Sequence, residues 1–268
     1  MLTVTRMTKT EPAYVPPKWS KGTDAEIIEA LNRHYDPDDE LDLTEYWAIG
    51  DTRKVHLSAI PTTSPFSSDS YPEQDIELVI ANVGGKTLKT PINGQTECAF
   101  IVVMKNILNV NSTFPGYIDT RSDYINGWNS SQRRTWINST FVNAIDENIR
   151  PIFKEHANLS LDNVSSSTGV LSYDYFCPPS IKEIVGEDET YHYWVDDGTL
   201  IGTVESQTVQ FEWFETTANR VAGTNNYVVR SLRADTSDAQ FLRYYSNSNN
   251  FFSYAYNSVG LFRLFGVI

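Results

Sequence analysis

The chain has 268 residues, of which 40% are hydrophobic and 13% aromatic, so it can bury a sizeable core and is not generally disordered. Its formal net charge of −13 argues against a protein that coats nucleic acid or an anionic membrane, because both attract an excess of Lys and Arg. No apolar run reaches the ~18–20 residues that span a bilayer, and the N-terminus lacks the apolar core of a signal peptide, so we expect neither membrane insertion nor secretion.

The N-terminal region divides into an arm and a helix. Residues 1–22 contain three prolines and few apolar residues, which predicts an extended N-terminal arm. A helix is predicted over residues 24–35, because Thr23 and Glu26 have the spacing of a capping box in front of apolar residues on one face. Residues 23–268 show no internal repeat and no sign of a second core, so we expect a single domain.

Three segments in the first half of this domain are rich in strand-forming residues. A pair of strands joined around Gly50 and Asp51 is predicted for YWAIGDTRKVHLSAI. A strand that runs into a hairpin turn at Gly84 is predicted for DIELVIANVGGKTL, and a buried strand for CAFIVVMKNIL.

The second half combines one helical segment with short strands. A helix is predicted for NSSQRRTWINSTFVNAIDENIRPIF, with Ser130 or Ser131 near its N-cap and Pro151 either opening a further turn or ending the helix. Its apolar residues at near-helical spacing are Trp136, Ile137, Phe141, Ile145 and Ile149. From SYDYFCPPSIKEIVG onward we expect short strands and long loops, which makes the fold class α+β.

The sequence contains no recognisable catalytic or cofactor motif. None of its four histidines has metal-ligand spacing to another His or Cys, and no nucleophile elbow, phosphate loop or dinucleotide fingerprint occurs. We therefore expect no enzymatic activity, no metal and no cofactor. Acidic groups at Asp196-Asp197 and Glu187–Glu189 leave a glycan hydrolase open as a lesser alternative. Cys98 and Cys177 are predicted to be buried thiols.

One stretch near the C-terminus has the composition of a binding loop. Tyr244–Ser258 consists of Tyr, Ser, Asn and Phe with the single exception of Ala255. Such residues combine large, rigid contact area with adaptable hydrogen bonding. The alternative is an aromatic-rich pair of strands that packs a small core. The predicted ligand-binding residues are Tyr244, Tyr245, Asn247, Asn249, Asn250, Phe251, Phe252, Tyr254, Tyr256 and Asn257.

Several separated motifs resemble a domain family of unknown function that is frequent in tailed phages, prophages and gut bacteria. The segment TDAEIIEALNRHY, followed by LTEYWAIGDTRKVHLSAI, resembles the family's first helix and its Y-W-x-[VI]-G-D-T-R signature. The family pattern G-W-x-x-S-x-x-R-x-W-x-N is matched by NGWNSSQRRTWIN, and P-S-x-x-E-[IV]-x-G by PSIKEIVG. Its Y-W-L-R-S segment is similar to NYVVRS, with Val228 in place of Trp, and its terminal G-V-R-P-x-F-x-I to GLFRLFGVI, with Leu264 in place of Pro.

The resemblance implies a fold and a set of structural residues. The family looks distantly related to the C-type-lectin and formylglycine-generating-enzyme fold, which implies one C-type-lectin-like domain of short strands, one or two helices and long loops. Ser131 and Arg134 share a helix face, and Arg134 can contact a carboxylate or backbone carbonyls. The motif residues expected to be structural are Trp128, Ser131, Arg134, Trp136, Asn138 and Arg230.

The resemblance also implies a function for the stretch Tyr244–Ser258. In C-type-lectin folds the segment before the last strand faces the ligand, and some phage and bacterial members are diversified by retroelements that replace adenines. Every residue of this stretch can arise in that way from an Asn codon. We therefore expect a virion-associated adhesin or receptor-binding protein of a tail fibre or baseplate, homo-oligomeric, in contact with other virion proteins and a host-surface glycan or protein. The alternative is a structural virion protein, in head decoration or tail assembly, with this face buried between subunits.

Overall fold

The architecture is described from a computed structural model, which covers residues 14–62, 70–109, 127–161, 169–186, 210–222, 227–233, 240–245, 250–254 and 262–268. The strands in these ranges are β1 (Thr52–Leu57), β2 (Gln74–Val83), β3 (Thr87–Ile92), β4 (Gln95–Glu97), β5 (Phe100–Met104), β6 (His156–Leu161), β7 (Gly169–Asp174), β8 (Phe176–Cys177), β9 (Tyr227–Arg233), β10 (Gln240–Tyr245), β11 (Asn250–Tyr254) and β12 (Phe265–Val267). The α-helices in the same ranges are α1 (Asp24–His34), α2 (Gly127–Ser130), α3 (Gln132–Trp136), α4 (Val142–Ala144), α5 (Ile181–Val185) and α6 (Thr217–Arg220).

These strands form three open antiparallel sheets. The five-stranded sheet has the order β1-β2-β5-β12-β8, the four-stranded sheet β4-β3-β6-β7, and the three-stranded sheet β11-β10-β9. Together with the short helices they confirm an α+β protein. No helix within the described ranges is long and apolar enough to cross a membrane.

The first helix is confirmed, together with its capping box. In α1 the hydroxyl of Thr23 accepts a hydrogen bond from the backbone of Glu26, and the Glu26 carboxylate accepts one from the backbone of Thr23 at 2.7 Å. Ile27, Ala30 and Leu31 form the buried face of the helix. The amphipathic pattern therefore docks α1 on the core.

The described part of the predicted N-terminal arm packs against the domain. Backbone bonds from Lys21 and Gly22 to Lys18 close a turn, and Trp19 within this turn is fully buried. The Trp19 ring lies 5.2 Å from that of Trp47, and the Trp47 indole donates to the carbonyl of Pro17 at 2.8 Å. Residues 1–13 of the predicted arm lie outside the described residues.

The predicted strand pair around Gly50 is wrong in its first half. Residues 46–49 form no strand and follow the 3-10 turn Leu43–Glu45. The Asp51 carboxylate accepts from the backbone of Ala48 at 3.0 Å, so a local turn satisfies the groups that a strand would have paired. The buried Trp47 belongs to this turn, and the chain then supplies a single strand, β1, at the edge of the five-stranded sheet.

The Gly84 turn exists, but it does not close a hairpin. Gly84 and Gly85 both have positive φ, at 59° and 89°, which glycine adopts without steric cost. The strand before the turn, β2, pairs with β1 and β5, whereas β3 after the turn pairs with β4 and β6. The turn therefore carries the chain from one sheet to another. The alternation of apolar and polar residues does not specify this change of sheet, because it indicates where strands form and not which strands pair.

The predicted buried strand is confirmed as β5, all five residues of which are buried. It lies between β2 and β12, and the carbonyl of Ile268 accepts backbone bonds from Ala99 and Phe100. Cys98 and Cys177 are buried and free, as predicted. Burial raises the pKa of the Cys98 thiol to about 12.

The second predicted helix has Ser131 as its N-cap, begins at Gln132 and is shorter than the apolar pattern suggested. Its three helical segments run from α3 through a π-helical turn, Ile137–Phe141, into α4, and the chain becomes extended at Ile145. Ile145 forms a bridge with Leu57 of β1, so a sheet contact ends the helix. Pro151 lies in a separate 3-10 turn, Arg150–Ile152, which is the first of the two predicted alternatives.

Candidate functional site

The stretch predicted to bind ligand forms part of a β-hairpin placed before the last strand. The backbones of β10 and β11 pair antiparallel, with Tyr244 opposite Phe251 and Tyr245 opposite Asn250. Six of the ten predicted residues lie on these two strands: Tyr244, Tyr245, Asn250, Phe251, Phe252 and Tyr254. The other four lie outside the described residues: Asn247, Asn249, Tyr256 and Asn257.

The third strand of this sheet joins the hairpin to the core. β9 pairs with β10, placing Tyr227 opposite Tyr244. Tyr227 and Val229 are fully buried, and the Tyr227 hydroxyl donates to the carbonyl of Arg220 at 2.9 Å. Because β9 is fixed by buried side chains and β10 by backbone pairing to β9, the hairpin is held at a defined position on the body.

A buried ionic cluster links β9 to α5 and to Lys86. The Arg230 guanidinium donates two parallel hydrogen bonds to the Glu183 carboxylate, at 2.5 and 2.6 Å. The Lys86 ammonium donates to the same carboxylate at 2.6 Å. Arg230 also donates to the carbonyl of Pro178 at 3.0 Å. A bidentate contact of this kind fixes both the distance and the orientation of two elements, here β9 and α5.

The charges of this cluster depend on one another. Burial by itself would raise the pKa of Glu183, but Arg230 and then Lys86 hold that pKa well below its usual range. Burial and then Lys86 lower the pKa of the adjacent His156 to about 3, so this histidine is neutral at ordinary pH. The cluster therefore contains two cations, one carboxylate and one neutral imidazole, all of them buried.

A second buried carboxylate organises the helical motif. Asp174, 1% exposed at the end of β7, accepts hydrogen bonds at 2.6 to 3.3 Å. The donors are the side chains of Trp128, Arg134, Asn138, Asn158 and Ser172. A carboxylate that accepts this many bonds can be buried without losing its hydrogen-bond partners.

The predicted motif residues make specific structural contacts. The Ser131 hydroxyl caps α3 by accepting from the backbone of Arg134 at 3.1 Å. Arg134 contacts both Asp174 and backbone carbonyls, donating to Asn129 at 3.2 Å and Tyr173 at 3.0 Å. The Asn138 amide bonds the backbone of residues 175 and 176, so it joins the π-helical turn to β8.

Trp136 packs in an aromatic cluster beside this network. Its ring lies 5.2 Å from that of Tyr71, 5.8 Å from that of Phe262 and 6.4 Å from that of Phe141. It thereby packs the helical segment against the chain that enters β12. Such ring pairs contribute beyond the area they bury.

Another buried cation lies where the chain enters β12. Arg263 donates to the carbonyls of Met104 at 2.9 Å and Arg220 at 2.8 Å, and it lies 5.1 to 5.2 Å from the rings of Trp213, Phe214 and Tyr227. Aromatic faces and carbonyl dipoles both stabilise a buried guanidinium. This contact set ties the segments on either side of the hairpin to the core.

Sequence reasoning missed the acidic and lysine members of these clusters. Ser180 and Glu183 form a complete capping box at the start of α5, and this S-x-x-E spacing in PSIKEIVG predicts a helix. The segment was instead expected to be strand and loop. The pairing of Glu183 with Lys86 had no sequence signal, because the two residues are 97 positions apart and meet only through the tertiary fold.

A cleft of about 910 Å³ lies on another part of the surface, between α1, β3 and the chain from α4 to β6. Apolar side chains such as Ile28 and Ile92 line it together with polar and charged ones. Its size is within the range of small-molecule sites. The protein thus has two candidate binding surfaces, the hairpin of β10 and β11 and this cleft.

In the described ranges no three His, Cys, Asp or Glu side chains are grouped to hold a metal ion. The acidic groups at Asp196-Asp197 and Glu187–Glu189 lie outside those ranges. Comparisons of the chain with models of protein families, with curated proteins and with solved structures found no match.

Proposed function

We propose that the chain is a virion-associated adhesin with a C-type-lectin-like body, which uses the C-terminal hairpin to bind a glycan or protein on the host surface. The carrying observation is the composition of Tyr244–Ser258 together with the pairing of β10 and β11 just before β12. Tyr and Phe would supply contact area by stacking on sugar rings or protein, and Asn and Ser would orient the ligand by hydrogen bonds. A homo-oligomer would present several such hairpins at once.

The scaffold around the hairpin supports this assignment. A binding surface gains affinity when it is ordered before the ligand arrives. β9 supplies that order, because Arg230 is bound bidentately to Glu183 and Tyr227 is buried at the strand's start. Residues on β10 and β11 can then be exchanged, as diversification would require, while the buried contacts of β9 stay constant.

A structural virion role is the second candidate, and one observation favours it. Among the described strands, β11 is an edge strand of its sheet. An edge strand offers unpaired backbone groups to a neighbouring chain. The hairpin would then be covered by another virion subunit in the assembled particle.

Replacing Tyr245, Phe252 and Tyr254 together by Ala tests the adhesin assignment. We expect the variant to lose binding to host cells or to an array of bacterial surface glycans, because the contact area of three aromatic rings is removed. Binding of purified protein is measured by cell pull-down and glycan array. Tyr46→Ala is the matched control, since Tyr46 is a tyrosine 44% exposed that lies outside the hairpin.

Thermal unfolding separates loss of binding from loss of fold. A triple variant that melts like the unchanged protein and binds as well as Tyr46→Ala would refute the adhesin assignment. If the unchanged protein binds no cell or glycan and the triple variant fails to assemble into particles, the structural role replaces it. Release of free sugar from the array by the unchanged protein would point to the glycan hydrolase.

A further inference from the structure

Two cations line the cleft between α1 and β6 without a carboxylate partner among the described residues. The Lys154 ammonium donates to the backbone carbonyl of Pro151 at 2.5 Å. The Arg150 guanidinium donates to the carbonyl of Ile145 at 3.2 Å and the side-chain oxygen of Asn143 at 3.4 Å. Both cations thus retain hydrogen-bonding capacity for an anion.

The acidic side chains of the cleft do not neutralise this pair. Glu155 is occupied by Lys89, whose ammonium donates to both of its oxygens at 2.9 and 3.0 Å. Glu147 is exposed and makes no ion pair with either cation. The cleft lining therefore contains two cations and two carboxylates, of which Glu155 is already bound by Lys89 and Glu147 contacts neither cation.

Both cations stand on rigid backbone. Lys154 bridges Val267 of β12, with its N–H bound to the Val267 carbonyl at 3.0 Å. Arg150 opens the 3-10 turn Arg150–Ile152. Lys154 is partly buried, and this burial lowers the pKa of its ammonium.

The remaining walls suit a polyhydroxylated ring. Tyr175 is half-buried and Ile28 and Ile92 are partly buried, so they offer ring and aliphatic surface. Asn32 and Thr90 are exposed at the margin, where amide and hydroxyl groups can bond sugar hydroxyls. A volume of about 910 Å³ accommodates more than one sugar residue.

We propose that this cleft binds a saccharide bearing a carboxylate, a uronic-acid type of sugar, with the carboxylate on Lys154 and Arg150 and the ring against Tyr175. The anionic part of the inference follows from the cleft alone. The saccharide part rests on the proposed function, since acidic sugars are components of a glycan surface. The cleft would then act as a second glycan site, separate from the hairpin.

Titration of the whole chain with trigalacturonate, and with maltotriose as a neutral trisaccharide, tests the proposal by calorimetry. Trigalacturonate is expected to bind and maltotriose to bind at least about tenfold more weakly, with affinity falling as salt rises. Lys154→Met retains the aliphatic stem and is expected to weaken trigalacturonate binding about tenfold or more. Lys54→Met, at an exposed lysine of β1 that does not line the cleft, is expected to bind normally.

The outcomes distinguish this site from the hairpin. Trigalacturonate binding that survives the Tyr245, Phe252 and Tyr254 replacement but is weakened by Lys154→Met supports a separate acidic-sugar site. Equal binding of the two trisaccharides, no binding of trigalacturonate, or an unaffected Lys154→Met variant overturns it. If the hairpin variant loses only cell binding, that result supports the adhesin assignment. It does not affect the conclusion on trigalacturonate binding to the cleft.

Discussion

Glu183 illustrates how single residues hold this molecule together. It is fully buried, yet it remains charged because Arg230 and Lys86 both contact it. Arg230 lies on β9, Glu183 on α5 and Lys86 just before β3, so one carboxylate connects three parts of the fold. A buried ion pair adds little net stability against an apolar replacement, but removing one partner leaves the others uncompensated.

Glu183→Gln is therefore expected to destabilise the protein by about 3–5 kcal/mol, because it leaves two buried cations without a countercharge. Urea unfolding followed by circular dichroism measures the change. Glu155→Gln is the matched control, since it removes a carboxylate from the exposed pair with Lys89, and we expect a cost of about 0–1 kcal/mol. A similar loss in the free energy of unfolding for the two variants would show that Glu183 is no more important for stability than an exposed carboxylate.

At the scale of elements, capping decides where the short helices begin. α3 has five residues and α5 has five, so neither is long enough to be stable by propensity. Each instead begins at a buried serine whose hydroxyl accepts from the third residue of the helix: Ser131 for α3 and Ser180 for α5. These caps position Arg134 and Glu183, the helix residues that contact the buried network.

Ser131→Ala is expected to cost about 1 kcal/mol of the free energy of unfolding, because the backbone N–H of Arg134 loses its partner in a partly buried position. Ser130→Ala is the control, as this neighbouring serine is exposed and is not the cap. Its effect is expected within about 0.5 kcal/mol. The reverse order of the two costs, measured by urea unfolding, would place the cap at Ser130 and contradict the structure.

At the scale of the whole molecule, two buried groups, His156 and Glu183, are expected to make stability sensitive to acid. The unfolded chain takes up a proton on His156 below about pH 6.5, whereas the folded chain does so only near pH 3. The contribution of His156 to stability is therefore fully present above pH 6.5 and is lost as the pH falls through this window. Glu183, whose pKa is lowered by folding, adds a loss of the same sign below its unfolded value of 4.5.

The free energy of unfolding is expected to fall by up to about 1.4 kcal/mol per pH unit between pH 6 and pH 5 on account of His156. Urea unfolding at several pH values measures this slope. His156→Leu is expected to flatten it, while His56→Gln, at a histidine whose side chain is 41% exposed, is expected to retain it. An unchanged slope in His156→Leu would mean that other groups cause the acid sensitivity.

The sequence by itself determined the local features of this protein. The capping box and apolar face of α1, the buried strand β5, the turn at Gly84 and Gly85, the buried cysteines and the α+β class all follow from patterns of a few neighbouring residues. Local patterns suffice because they report which backbone conformation and which face a short segment prefers.

Tertiary structure alone decided the partners. The Gly84 turn joins two sheets because β3 finds β6, the helix after α3 ends where Ile145 meets β1, and Trp47 leaves a predicted strand to pack on Trp19. The Glu183 and Asp174 clusters likewise assemble side chains from distant positions, and the cleft brings α1 and β3 against residues 150–155. Such contacts depend on the burial and charge of residues that are far apart along the chain. The spacing of neighbouring residues does not indicate which distant residues will meet.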